Sequence, residues 1–126
     1  MSIMIVDDES SIRTMIGLFL NHNGYTVVSA ANGAEALDML LQSAELPELI
    51  LLDLMMPVMN GVEFRGAQRT APALASIPVA VVSADANLRD KAPLLDADVY
   101  LSKPIDFTAL LATVERYCEK GIAQGS

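Results

Sequence analysis

Short apolar runs alternate with amphipathic segments along the whole chain. The apolar runs are nearly continuous, as in strands that are covered on both faces. They lie at residues 3–6, 25–29, 49–52, 79–82 and 99–101. After each run, apolar residues recur at helical spacing, and the weakest of these segments is 87–95, because it contains Pro93. This strand–helix alternation, repeated five times, predicts an α/β fold with a five-stranded parallel sheet and helices on both faces.

Local signals at the helix ends support this division of the chain. Residues 32–35 and 60–63 both have the Asn-Gly-x-Glu spacing of a capping box, and Asp106 can cap the last helix. Asn23 and Gly24 should end the first helix, and the third should end near Pro72. The run at 25–29 is the least apolar, which favours an edge position in the sheet.

The composition indicates one globular domain. The chain has 126 residues, and its 52% hydrophobic content excludes a disordered chain. No apolar run approaches the ~20 residues that span a bilayer, so we expect no membrane partner. We expect one domain over residues 1–120 and a flexible tail over residues 121–126.

The charge and the reactive residues narrow the possible functions. A net charge of −8 argues against binding to nucleic acid, which is itself a polyanion. Cys118 is the only cysteine and cannot form an internal disulfide, which fits a reducing cytoplasm. His22 is the only histidine, so a histidine-rich metal site is excluded and no histidine-based catalytic triad is expected.

Polar residues follow four of the predicted strands at their carboxyl ends. They are Asp7, Asp8, Asp53, Ser83 and Lys103. Carboxyl ends of parallel strands meet at one edge of a sheet, where ligands bind in open α/β folds. Carboxylates gathered there suit Mg²⁺, which prefers oxygen ligands. A lysine and a hydroxyl beside the metal could hold a phosphoryl group, and a carboxylate could accept it as an acyl phosphate.

Simpler interpretations of the same residues remain open at this point. Asp8 could serve only as a helix-terminal acid, because carboxylates interact favourably with the positive end of the helix dipole. Lys103 could form only a salt bridge, and Ser83 could be only a turn residue.

The ordered set of motifs resembles the receiver domain of bacterial two-component response regulators. The matching segments are residues 6–9, 52–61, 82–84 and 100–104. Each segment alone is a weak signal, but their order and spacing together are specific and cover essentially the whole chain. The resemblance implies the flavodoxin-like fold of chemotaxis regulators, which are a standard example of the strand order 2-1-3-4-5.

The resemblance also implies a phosphorylation site. It makes Asp53 the acceptor of a phosphoryl group from a sensor histidine kinase or a histidine phosphotransfer protein. Asp8, Asp53 and the backbone carbonyl of Met55 become the Mg²⁺ ligands, with Asp7 acting mainly through water. The domain would catalyse only its own phosphorylation and dephosphorylation, so it would not be an enzyme for external substrates.

The remaining implied roles concern the switch. Lys103 should contact one phosphoryl oxygen and Ser83 should move to bind another, while the small Ala84 leaves a path for the phosphodonor. Tyr100 would turn inward in response and change the surface of the fourth helix, fifth strand and fifth helix, which a downstream protein reads. The peptide bond from Lys103 to Pro104 is expected to be cis.

Three departures from the family pattern are informative. Asp96 stands where many relatives have glycine, and aspartate tolerates a positive φ better than most residues. Val99 and Thr113 replace charges that help DNA-binding relatives to dimerise. We therefore expect a monomer or a weak dimer.

Three alternatives compete with the receiver interpretation. A flavodoxin-like electron carrier would need a phosphate-binding loop where this chain has Asp-Asp-Glu at residues 7–9. A phosphatase of the haloacid dehalogenase type would need an acid at position 55, which is methionine. The third alternative is a pseudo-receiver, a protein-binding module that is never phosphorylated.

Overall fold

The computed structural model describes residues 2–54, 56, 58–84, 93 and 95–118. In chain order its elements are β1 (Ser2–Val6), α1 (Ser10–His22), β2 (Thr26–Ala30), α2 (Gly33–Gln42), β3 (Leu49–Leu52), α3 (Gly61–Thr70), β4 (Val79–Ser83), β5 (Val99–Ser102) and α4 (Phe107–Tyr117). The predicted helix over 87–95 lies almost entirely outside the described residues, so α4 is the helix predicted as the fifth. Among the described residues, no helix is both long and apolar enough to cross a bilayer.

The five strands form one parallel sheet in the order β2-β1-β3-β4-β5. This order confirms the predicted flavodoxin-like α/β fold, and β2 occupies the expected edge. β3 lies in the centre, where all four of its residues are buried. A central parallel strand has no solvent-facing side, which explains why Leu49–Leu52 is continuously apolar.

Alternate residues of each strand face two separate cores, one on each side of the sheet. On one side, Met4 and Val6 belong to the core that α2 and α3 complete with Leu40 and Phe64. On the other side, the neighbouring strand residues join a core completed by α1 and α4. Its members include Ile3, Ile5, Ile16, Leu20, Leu110 and Val114. The sheet is thus held between two helical layers, and its carboxyl edge stays open.

The helix caps follow the sequence signals closely, with one difference. Asn60 and Glu63 form a complete capping box, and the Asp106 carboxylate accepts hydrogen bonds from the backbone N–H groups of α4. Asn32 also accepts from the Glu35 N–H, but the Glu35 carboxylate accepts from the N–H of Ala31 and not of Asn32. The second arm of this box is therefore shifted by one residue.

Two predicted boundaries change slightly in the structure. The prediction placed Tyr25 in the second strand, but β2 begins at Thr26, because the Tyr25 N–H donates to Leu20 O at 3.0 Å and so belongs to the end of α1. Gly24, with φ of 93°, reverses the chain there. The third helix ends at Thr70, close to Pro72 as expected.

Val58 has an unfavourable backbone conformation in the loop between β3 and α3. Its φ is 69°, and its side chain is 81% exposed. A β-branched residue in the left-handed region of φ and ψ has a higher free energy than one in ordinary backbone. Because the Val58 side chain is largely exposed, packing does little to offset that cost. Asparagine tolerates this region much better.

We predict that Val58→Asn stabilises the protein by about 1 kcal/mol, because it relieves a left-handed β-branched residue at an exposed position. The free energy of unfolding in urea measures the effect. Thr26→Asn is the matched control, since Thr26 is exposed in ordinary strand backbone. An equal change in both variants would contradict the assignment of strain to Val58.

Candidate functional site

Backbone hydrogen bonds fix the polar residues that lie just beyond the strand ends. Asp7 N–H donates to Ala30 O at 3.2 Å, and Asp53 N–H donates to Val6 O at 2.9 Å. Lys103 N–H donates to Ser83 O at 3.0 Å. These bonds continue the ladders of the sheet by one residue, so the side chains start from a rigid edge.

Three carboxylates converge at this edge. Asp7, Asp8 and Asp53 each offer an oxygen, and these oxygens all lie within 4.8 Å of one another. Asp7 is 3% exposed and Asp53 is 5% exposed, whereas Asp8 faces solvent. Buried carboxylates at this separation repel strongly, so the arrangement requires positive charge nearby.

Lys103 supplies positive charge inside the cluster. Its Nζ lies 2.9 Å from Asp7 Oδ2 and 3.7 Å from Asp53 Oδ2, and its side chain is 13% exposed. Burial has the largest single influence on the pKa of Lys103 and lowers it. The hydrogen bond to Asp7 and the charges of Asp53, Asp7 and Glu9 together outweigh burial, so the pKa is raised overall. The lysine is therefore held in its ammonium form.

Asp7 is held in place from several directions. Its Oδ1 accepts from the Glu9 N–H at 2.9 Å, while its Oδ2 accepts from Lys103. Its backbone carbonyl accepts from Arg13 Nη1 at 2.7 Å. Sequence reasoning missed this role of Arg13, because an arginine that binds a main-chain carbonyl leaves no motif.

The other predicted site residues lie around the acidic cluster. Ser83 is buried at the end of β4, beside Lys103 through the backbone bond already described, and Ala84 follows it at an exposed position. The peptide bond from Lys103 to Pro104 is cis. Met55, the predicted carbonyl ligand, lies outside the described residues.

Tyr100 lies away from the cluster, with its hydroxyl near the start of its own strand. Within the sheet it is opposite Val81, whereas Ser83 is opposite Ser102. Tyr100 is 37% exposed, and its hydroxyl oxygen accepts from the Ala97 N–H at 3.0 Å. Tyr100 therefore takes an outward position in this structure.

The donor set matches the preferences of a hard divalent cation. All three clustered groups offer carboxylate oxygens, and neither sulfur nor imidazole is among them. The three carboxylates and the Lys103 ammonium together have a net charge of about −2, which a divalent cation would neutralise. The residues present therefore fit Mg²⁺ on chemical grounds.

The loop after Asp53 returns closely against its own start. Gly61 N–H donates to Leu54 O at 3.0 Å. A Cβ at Gly61 would lie 2.7 Å from both Asp53 O and Leu54 Cδ2, which is too close for any real side chain. Only glycine allows α3 to begin this near the acidic cluster.

The fold and the site together define a class of α/β domains with a carboxylate cluster at the sheet edge. The sequence matches the response regulator receiver domain family over residues 3–115. The chain belongs to this family, whose members are signalling modules and pass signals between histidine kinases and downstream effectors. The resemblance stated from the sequence is thereby confirmed.

Individual relatives agree with this assignment. The chain is 35% identical to an uncharacterized 14.6 kDa protein of Leptolyngbya boryana, covering 94% of this chain and 90% of that protein. It is 36% identical to response regulator MprA of Mycobacterium avium, covering 89% of this chain and 48% of MprA. The chain thus spans about half the length of MprA.

Solved structures show the same fold. The chemotaxis protein CheY4 of Vibrio cholerae matches with a TM-score of 0.82 and 31% identity, covering 93% of this chain and 98% of CheY4. The response regulator TrrA of Thermotoga maritima, solved with Mg²⁺ and BeF, matches with a TM-score of 0.81 and 29% identity, covering 94% of this chain and all of TrrA.

We predict opposite effects for alanine at two glycines of α3. Gly61→Ala should lower the free energy of unfolding by about 1–3 kcal/mol, because the methyl group overlaps the carbonyl of Asp53. Gly66→Ala should raise it by about 0.5–1 kcal/mol, because the added Cβ meets nothing within 4 Å beyond its own helix and alanine favours helix. Urea unfolding of both variants provides the comparison; an undiminished stability of the Gly61→Ala protein would contradict the close approach.

Proposed function

We propose that this chain is a phosphorylatable receiver switch in which Asp53 accepts a phosphoryl group from a phosphohistidine. The observation that carries the proposal is the buried Asp53 carboxylate, which lies within 4.8 Å of Asp7 and Asp8 and 3.7 Å from the Lys103 ammonium. A structural salt bridge would need only one carboxylate. The extra acids are explained by a site that binds a divalent cation, whose positive charge would offset the negative charge of a phosphoryl group.

The transfer proceeds by displacement at phosphorus. A carboxylate oxygen of Asp53 forms the new P–O bond while the P–N bond to the donor imidazole breaks, and that nitrogen keeps the electron pair. Water attacking the acyl phosphate later releases inorganic phosphate and restores the carboxylate. The donor is a sensor histidine kinase or a histidine phosphotransfer protein.

Asp8, Asp53 and the carbonyl of Met55 would hold Mg²⁺, with Asp7 acting mainly through water. When bound, Mg²⁺ supplies neutralisation of negative charge on the phosphoryl oxygens. The chain's own residues position the second positive charge of the site, the Lys103 ammonium. Asp7 orients the Lys103 ammonium through their 2.9 Å contact, and Glu9 N–H and Arg13 fix Asp7 in turn.

The groups around Asp53 provide the remaining contacts to the phosphoryl group. Lys103 can exchange its weaker, 3.7 Å contact with Asp53 for a phosphoryl oxygen. Ser83 offers a hydroxyl from the end of β4, and the small, exposed Ala84 leaves an approach for the donor. These roles follow the family pattern at matching positions.

The signal leaves the domain through Tyr100. Its ring is outward in this structure, and movement of Ser83 toward the phosphoryl group would open space for the ring to turn inward. This is a two-state equilibrium biased by one charged group. The reader is a downstream protein that contacts the surface around β5 and α4.

We place this activity in a domain over residues 1–120; the tail predicted over residues 121–126 lies outside the described residues. The single cysteine supports a cytoplasmic location. The absence of charge at Val99 and Thr113 supports a monomer or weak dimer. The main alternative is a pseudo-receiver that binds proteins without being phosphorylated.

We predict that incubation with acetyl phosphate and Mg²⁺ adds one phosphate to the wild-type chain, because Asp53 is then the nucleophile. Intact mass spectrometry measures the adduct, which should be labile to base. Omission of Mg²⁺ and the Asp53→Asn substitution should each abolish it. Asp38→Asn is the matched control, as Asp38 is an exposed acid on α2.

A stable adduct on the Asp53→Asn protein would contradict the assignment of Asp53 as the acceptor. The absence of an adduct under any condition, even with a histidine phosphodonor, would favour the pseudo-receiver.

A further inference from the structure

A buried arginine joins α3 to the segment that precedes β5. Arg65 is 6% exposed, and each of its three guanidinium nitrogens donates a hydrogen bond. Nε donates to Leu95 O at 2.7 Å, and Nη2 donates to Asp96 O at 2.7 Å. Nη1 donates to Gln68 Oε1 at 2.8 Å. A planar fork with three satisfied donors fixes its acceptors in direction as well as in distance.

Gln68 keeps the arginine in this orientation. It is fully buried, and its amide nitrogen donates to Leu74 O at 2.9 Å and to Ile77 O at 3.1 Å. Its amide oxygen is therefore directed at Arg65. The pair lies one helical turn apart on α3, whose first residue, Gly61, lies against the backbone that follows β3.

One peptide group lies between Arg65 and Tyr100. The carbonyl of Asp96 accepts from Arg65, and the N–H of Ala97, which belongs to the same peptide group, donates to the Tyr100 hydroxyl oxygen at 3.0 Å. A peptide group is planar, so fixing the direction of its carbonyl also fixes the direction of its N–H. The orientation of the donor to Tyr100 is thus set by Arg65.

The residue before this peptide bond has an uncommon backbone conformation. Asp96 has φ of 47°, a conformation that is uncommon outside glycine. Asp98, two residues further along the chain, anchors the far side of the segment to β4. Its N–H donates to Val79 O and its carboxylate accepts from Val79 N–H, both at 2.9 Å. Arg65 holds the near side.

We propose that Arg65 is a positioning residue for the Tyr100 switch: it orients the peptide group between Asp96 and Ala97 so that this group holds Tyr100 outward. The meaning of Tyr100 as a switch rests on the proposed function, but the coupling itself does not. Arg65 thereby connects α3, which starts beside the loop that follows Asp53, to Tyr100. No sequence motif marks this role.

A buried brace without any link to Tyr100 would produce a loss of stability alone. The ring position of Tyr100 distinguishes such a brace from a positioning residue. It is monitored by NMR of ¹³C-labelled tyrosine in the protein without Mg²⁺ or phosphodonor. The chain has three tyrosines, so the Tyr100 signal is assigned by Tyr100→Phe. The measurement does not depend on whether Asp53 can be phosphorylated, so its failure and failure of the proposed function are separate results.

We predict that Arg65→Lys and Arg65→Met shift the Tyr100 resonance and raise the population of the non-outward ring about 2- to 10-fold, the factor one hydrogen bond supplies. Lysine keeps the positive charge but cannot donate hydrogen bonds to both carbonyls and to Gln68 in the geometry of the guanidinium group. Arg69→Ala is the control, because Arg69 pairs with the exposed Asp96 carboxylate, at 3.9 Å, and not with its carbonyl. An unchanged Tyr100 signal in folded Arg65 variants would overturn the proposal.

A reciprocal measurement keeps the proposal testable if both Arg65 variants unfold. Tyr100→Phe removes a hydroxyl from a partly exposed side chain and should leave the fold intact, yet it should shift the signal of the Arg65 Nη2 protons, which donate to the shared peptide group. Tyr117→Phe, on α4, should leave that signal in place. Equal shifts in both variants, or no shift in Tyr100→Phe, would overturn the coupling.

Discussion

The contact between the Lys103 ammonium and the buried carboxylates of Asp7 and Asp53 is the interaction on which the site depends. Two carboxylates with almost no exposure are tolerable only because a cation from the end of β5 lies 2.9 Å and 3.7 Å away. That cation can arrive only if β5 is parallel to β1 and β3 at the same sheet edge. The charge balance of the site is thus a consequence of strand order, and it leaves a residual double negative charge.

The two-faced core makes the edge rigid enough to hold this balance. β3 is buried on both sides, and the helical layers meet it through separate sets of alternating side chains. Burial of that apolar surface stabilises the strands independently of the polar residues at their ends. The site can therefore contain repelling acids without losing the fold.

Much of this arrangement follows from local sequence. The apolar runs and the caps at Asn60 and Asp106 depend on a few neighbouring residues each, which is why the predicted succession of elements along the chain and these two caps are confirmed. The strand order in the sheet came from the family resemblance and not from local sequence. The roles of Arg13 and Arg65 could not be predicted, because both side chains bind main-chain carbonyls, which every residue has. The carbonyls that Arg65 binds are also about thirty residues away in sequence. The shifted box at Asn32 depends on how the chain leaves β2. The start of β2 at Thr26 depends on the hydrogen bond from the Tyr25 N–H to Leu20 O, which ends α1 and which the sequence does not show.

A thermal-unfolding titration with Mg²⁺ at constant ionic strength measures whether the carboxylate cluster is a cation site. A site with two unbalanced negative charges should bind Mg²⁺, so the melting temperature of the wild type should rise with Mg²⁺ concentration by mass action. The rise should be much smaller in Asp8→Asn and Asp53→Asn, and should persist in Asp38→Asn. Equal rises in all four proteins would contradict the claim that these carboxylates form a cation site.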